Sequence, residues 1–197
     1  MWLKNTHNEA TMQSKNLIFR AVGEDDLQQM IDWRNDPEIN YYFYDAEPLS
    51  IEQQRLWYSR YLETTNTDKI FIISDRISSV TIGMVSIYHI DWRNRKGEWG
   101  RLILDKEYRG KGLSKEIEAV VYAHAFDYLN LNKLYCEVYQ FNTNVIQAHE
   151  KMGSKIEGVL RQHIYRHGIY QDVVVMSILR EEYYTNVRNG MYTQFYG

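Results

Sequence analysis

Between Leu104 and Ser114 the chain reads Leu-Asp-Lys-Glu-Tyr-Arg-Gly-Lys-Gly-Leu-Ser, with strand-like sequence before it and helix-like sequence after it. Upstream, Lys69–Ser74 (KIFIIS), Ser79–Ile90 (SVTIGMVSIYHI) and Glu98–Leu104 (EWGRLIL) are rich in β-branched residues and are separated by polar turns, which predicts three consecutive antiparallel strands. Downstream, Leu113, Ile117, Val120, Val121, Ala125 and Phe126 recur on one face, so a long helix over Gly112–Leu129 follows the turn directly. Two glycines at such a junction let backbone N–H groups approach a ligand closely, and the open amides of a helix start favour an anion such as pyrophosphate. The alternative is a tight turn with no ligand. Walker A and Gly-x-Gly-x-x-Gly spacings are both absent, so those nucleotide-binding readings fall.

The flanking sequence completes an alternation of the two periods. Leu17–Ala21 (LIFRA) predicts a strand, and Glu24–Arg34 a helix with Leu27, Met30, Ile31 and Trp33 at helical spacing. That helix should stop near Asn35, because Pro37 disfavours helical geometry in the residue before it. Ser50 with Glu52 and Gln53 resembles a cap in front of a helix over Ile51–Glu63. Lys133–Tyr139 predicts a buried strand, Asn144–Met152 a helix closed by Gly153, and Gly158–Tyr165 with Asp172–Leu179 a hairpin turning at His167-Gly168. The expected architecture is α+β: a mixed, mostly antiparallel sheet of about seven strands flanked by about four helices, with a helical crossover in its middle. Residues 16–183 would form a single domain, with flexible tails at 1–15 and 184–197.

Composition narrows the function classes. The 197 residues suit one domain, and 44% hydrophobic against 25% charged residues is enough to build a core. A net charge of −3 with scattered basic residues gives no footprint for nucleic acid. The lone Cys136 can form no internal disulfide and offers no metal-ligand spacing, so a reducing compartment, the cytoplasm, is expected and no metal is. Neither a membrane span nor an apolar leader is visible in the sequence. The 17 tyrosines hint at an aromatic-lined site or interface.

Tyr108-Arg109-Gly110-Lys111-Gly112-Leu113-Ser114 resembles the Arg/Gln-x-x-Gly-x-Gly/Ala pyrophosphate loop of the GNAT family of acetyl-CoA-dependent N-acetyltransferases. The LIFRA, VTIGMVSI and EWGRLIL runs and the segment Asn142–Gly153 sit in that family's order, so the resemblance covers residues 17–180. It implies acetyl-CoA as cosubstrate and direct transfer to a small-molecule amine in a ternary complex, with no acyl-enzyme and therefore no role for Cys136 as nucleophile. It implies that Arg109, Gly110, Lys111, Gly112, Leu113 and Ser114 cradle the pyrophosphate. Backbone groups of Leu102, Ile103 and Leu104 would pair with the pantetheine arm and polarise the acetyl carbonyl.

Three positions depart from the family pattern. Ser114 stands where Gly or Ala is preferred, His149 where a tyrosine is the usual proton donor to the leaving thiolate, and Ser154 where phenylalanine usually follows the glycine. His149 is thus either the acid or a hydrogen-bonding residue of the fold. Glu98 is the candidate base for the amine, or an edge carboxylate; His89 and Glu137 are lesser helpers. Asn142 would contact pantetheine or close an Asx turn, and Lys151 would meet coenzyme phosphate or solvent.

Acceptor choice in this family comes from the first two helices and the final hairpin. The string Trp33-Arg34-Asn35-Asp36-Pro37-Glu38-Ile39-Asn40 and the later Leu49-Ser50-Ile51-Glu52 are similar to nucleotide-linked amino-sugar acetyltransferases of the pseudaminic acid pathway. On that reading Trp33, Arg34, Asn35, Tyr42 and Glu47 form the acceptor site, with aromatic rings stacking on sugar or base; packing of the helix pair is the competing role. The alternative is a polyamine acceptor, as in spermidine enzymes with a similar closing hairpin, held by Asp36, Glu38, Asp45 and Glu47. A peptide amine, or a catalytically silent acetyl-CoA sensor, also fits. An exposed edge strand allows a homodimer.

Overall fold

Strands and helices alternate as the two sequence periods require. The computed structural model describes residues 11–45, 47–63 and 67–196. Its strands lie in one eight-stranded sheet in the order β1-β2-β3-β4-β5-β6-β8-β7. They are β1 (Met12–Gln13), β2 (Leu17–Ala21), β3 (Lys69–Asp75), β4 (Thr81–Asp91), β5 (Lys96–Leu104), β6 (Lys133–Tyr139), β7 (Lys155–Arg166) and β8 (Ile169–Leu179). The helices are α1 (Leu27–Asn35), α2 (Pro37–Asn40), α3 (Ile51–Glu63), α4 (Leu113–Ala123), α5 (Thr143–Lys151), α6 (Arg180–Glu182) and α7 (Arg188–Phe195). The α+β class holds, with one strand more than expected. The chain divides into two units, residues 1–88 with 101–111 and residues 89–100 with 112–197.

In the first unit, β2 pairs antiparallel with β3 and β3 with β4. Arg20 grips Asp26 with both terminal nitrogens at 2.6 Å, tying the end of β2 to the turn that starts α1. The core gathers Val22, Leu27, Met30, Trp33, Ile39, Ile70, Ile72, Met84 and Ile103, with Trp57, Tyr58 and Tyr61 of α3 packed against it. As Pro37 dictates, α1 ends at Asn35 and Pro37 starts a new short turn, α2, whose first amides are capped by Asp36. The Ser50 cap is reciprocal: the Gln53 amide donates to Ser50 Oγ at 3.3 Å, and the Ser50 amide donates to Gln53 Oε1 at 2.8 Å.

In the second unit, β5 and β6 are parallel, joined through α4, and β8 pairs antiparallel with both β6 and β7. The apolar stripe of α4 is buried, and past Ala123 the helix widens to one turn of i to i+5 bonding at His124–Tyr128. Of the N-terminal tail, residues 1–10 lie outside the described residues, but Met12–Gln13 adds strand β1. The segment after Tyr183, expected to be loose, is helical, with Tyr183, Met191 and Phe195 buried. Phe126, in the widened turn after α4, stacks on Tyr183 at 4.9 Å, so this segment helps to bury it.

Candidate functional site

The glycine turn has the form its sequence demands. Gly110 and Gly112 adopt φ of 73° and 79°, the left-handed region that an L side chain enters only at a cost, and open space surrounds the point where each would carry a Cβ. Arg109 does not point away: its Nε donates to the Leu104 carbonyl at 2.9 Å, folding the turn back on the end of β5. Lys111 Nζ lies 4.9 Å over the Tyr108 ring. Gly112 is the N-cap of α4, so the first amides of that helix, from Leu113 and Ser114 on, have no helical acceptor. An open cradle of amides at a helix start, without side chains to fill it, fits a pyrophosphate.

Along β5, the parallel ladder to β6 joins Lys96–Glu98 to Lys133–Tyr135 and ends there. Arg101 then takes φ of 50°, a break in strand geometry, with its guanidinium 4.2 Å over the Tyr88 ring. Leu102, Ile103 and Leu104 therefore continue β5 beyond its pairing with β6. The Ile103 side chain is in the core, which leaves only its backbone for a ligand.

Glu98 and Trp99, being neighbours on a strand, project to opposite faces of β5. Glu98 is buried, 9% exposed, and its Oε2 lies 3.1 Å from His89 Nδ1. The Tyr135 hydroxyl also bonds Glu98; burial, then the Glu98 charge, pushes that phenol up. The His89 ring is 65% exposed, so the buried carboxylate has a titratable neighbour open to water. Glu98 is thus a buried, partnered group and not an edge carboxylate.

On the other face of β5, the Trp99 and His149 rings meet edge-on at 5.0 Å. His149 Nδ1 lies 3.1 Å from each oxygen of Glu118 in α4. Tyr122, one turn along α4, donates to Glu118 Oε1 at 2.5 Å and lies 2.8 Å from Ser154 Oγ. Sequence reasoning missed Glu118. Its only signal is its i, i+4 spacing to Tyr122 on a helix whose neighbouring positions are apolar. Cys136 is also buried, and burial followed by the charges of Glu118 and Glu98 pushes its thiol well up, so it stays neutral and is unfit as a nucleophile.

Asn142 caps α5 through its carbonyl while its side chain makes no capping bond, so the amide is not used up by a turn. Lys151 is exposed in the last turn of α5. The acceptor residues separate. Trp33 is 4% exposed and belongs to the core, so it offers no face for stacking on a ligand. Asn35 spends its amide on Leu49, donating to the carbonyl at 2.9 Å and accepting from the N–H at 2.8 Å. The Arg34 guanidinium sits 4.0 Å over the Phe43 ring. Tyr42 and Glu47 are exposed. Glu38 accepts from Lys106 and Arg109 at 3.4 Å each. His124 is buried.

Residues 16–155 match the family model described as an acetyltransferase (GNAT) domain, over more than two thirds of the chain. The chain belongs to the GNAT acetyltransferase family. This acetyltransferase is accordingly an acyltransferase with acetyl-CoA as cosubstrate. It is 27% identical over 170 residues to the spermidine N(1)-acetyltransferase of Vibrio cholerae, covering 86% of this chain and 96% of that one. It is 32% identical to the SPbeta prophage-derived uncharacterized N-acetyltransferase YokL of Bacillus subtilis, covering 87% of this chain and 94% of that one. The crystal structure of the Vibrio cholerae enzyme in complex with CoA and spermine superposes with a TM-score of 0.81 at 28% identity, covering 86% of this acetyltransferase and 98% of that chain. Among the described residues, no group of three or more His, Cys, Asp or Glu side chains is arranged to hold a metal, and no helix is long and apolar enough to cross a membrane.

Proposed function

We propose that this acetyltransferase acetylates a polyamine of the spermidine class. The observation that carries the reading is similarity to spermidine acetyltransferases along nearly their whole length, in both sequence and fold. The nucleotide-linked amino sugar loses its support with Trp33 in the core and Asn35 bonded to Leu49. A polycation needs carboxylates facing water, and Asp45 and Glu47 are exposed beside the exposed Tyr42.

When bound, acetyl-CoA supplies an acetyl carbon activated by its thioester sulfur. The amides of Gly110, Gly112, Leu113 and Ser114, with Arg109 and Lys111, hold the pyrophosphate. Backbone groups of Leu102, Ile103 and Leu104, the Asn142 amide and Lys151 hold the rest of the coenzyme. A protonated amine has no lone pair for attack, so Glu98 takes its proton and passes it through His89 to solvent. His149 returns a proton to the departing sulfur from its Nε2, since Nδ1 faces Glu118. Tyr42 and Glu47 bind the cationic chain of the acceptor.

The test is release of free thiol from acetyl-CoA against spermidine, a nucleotide-linked 4-amino sugar and short peptides. Turnover is expected on spermidine, with a KM that rises with salt and rises again in Glu47→Gln. Turnover on the sugar nucleotide or the peptides alone overturns the polyamine reading.

A further inference from the structure

Two of the three departures from the family pattern meet in one buried network. His149, in place of the usual tyrosine, and Ser154, in place of the usual phenylalanine, are joined through Tyr122 and Glu118. All four side chains are at most 8% exposed. A phenylalanine side chain at 154 has no hydrogen-bonding atom, and a tyrosine at 149 has only one hydroxyl, with no second polar atom for Glu118 to hold. The two substitutions and the carboxylate make chemical sense together.

An ionised carboxylate only accepts, so the nitrogen facing both Glu118 oxygens carries the hydrogen. The opposite end of the network is arranged the same way. Tyr122 donates to Glu118 and in turn is positioned to accept from Ser154, so successive O–H dipoles point at the carboxylate. Burial, then the Glu118 charge, pushes the Tyr122 phenol well up, so it remains a donor at any working pH. The thiol of Cys136 stays neutral, and Trp99 bears no charge, so Glu118 is the charge in direct contact with the imidazole.

We propose that Glu118 is the positioning residue for His149: it fixes the ring's orientation and its Nδ1–H tautomer, so that Nε2 is the nitrogen that delivers the proton to the leaving sulfur. The inference rests on His149 as the acid. The proton given by Nε2 converts the thiolate to a thiol and leaves a neutral imidazole still bonded to Glu118, ready to be recharged from solvent.

The experiment compares wild type, Glu118→Gln, His149→Gln and the double variant by steady-state kinetics, with nitrogen NMR reporting the tautomer of the His149 ring. In Glu118→Gln, kcat is expected to fall at least about tenfold, a share of the ~10²–10⁴ of general acid catalysis, with both KM values little changed. Nitrogen NMR should show the His149 ring losing its preference for the Nδ1–H tautomer. The double variant should be no slower than His149→Gln. Wild-type kcat in His149→Gln overturns the acid reading and the role of Glu118 with it. Slow His149→Gln beside an unchanged kcat and ring tautomer in Glu118→Gln overturns the positioning role alone. If Glu118→Gln does not fold, Ser154→Ala, which removes only the outer donor, should shift the tautomer balance in the same direction by less; no shift overturns the inference.

Discussion

Single residues in this protein separate into those whose role is set by backbone conformation and those whose role is set by partners. Gly112 is the first kind: at φ of 79° with open space around it, nothing in the fold rejects a larger side chain by contact, but the conformation does, and so does any ligand that comes up to the amide. Gly112→Val is expected to weaken acetyl-CoA binding by more than about tenfold, because a β-branched side chain enters the left-handed region only at a cost of about 1–2 kcal/mol and covers the cradle. Calorimetric titration with acetyl-CoA checks this, with a melting curve to establish that the variant is folded. Binding at wild-type strength would remove the loop from the coenzyme site. Glu98 is the second kind: on the sequence it is either the candidate base or an edge carboxylate, and its burial beside His89 and Tyr135 removes the edge role.

At the scale of elements, short-range rules carried most of the structure. The helix over Ile51–Glu63 has the bounds expected of it, since Ser50 and Gln53 satisfy each other's amides within one turn. Ser50→Ala should cost about 1 kcal/mol. Thermal unfolding should register that as a drop in Tm of about 2–4 °C for a chain of this size, with acetyl-CoA affinity unaffected. Elements that depend on distant partners were not legible. Strand β1 is two residues long and exists through pairing with Phe19 and Ile18 of β2. The widening of the helix at His124–Tyr128 leaves no mark on the hydrophobic period, and it coincides with stacking of His124 on Tyr128 at 5.1 Å.

For the molecule as a whole, the C-terminal segment is part of the fold. Asp127 accepts from the hydroxyls of Tyr183, Tyr184 and Tyr192 at 3.1, 2.7 and 2.9 Å and pairs with Arg188 at 3.5 Å. With Tyr183, Met191 and Phe195 buried, the segment's apolar contribution is of the order of several kcal/mol, at about 1.5–3 kcal/mol per buried side chain. That is comparable with the ~5–15 kcal/mol of a whole domain. A chain ending at Leu179 is therefore expected to aggregate or melt far below the 197-residue chain, as sedimentation and thermal unfolding would register. A truncated chain with unchanged Tm would show the segment to be an appendage. Its sequence reads as aperiodic because its helix widens at Tyr183–Val187, so the buried side chains do not recur at the ordinary interval.

The amino-acid sequence by itself determined the order of the main strands and helices from β2 to β8, the caps and the glycine turn. Each of these is dictated by residues within about one helical turn or one strand of each other, where period, φ preference and capping act without knowledge of the rest of the chain. Only the tertiary structure decided which polar side chains are buried and with whom. Trp33 and Asn35 looked like ligand contacts and proved to be core and loop tie. Glu118, which the sequence did not single out, faces a histidine 31 positions away. A buried polar group is tolerated only with its hydrogen bonds made, and the partner that makes them arrives from another element.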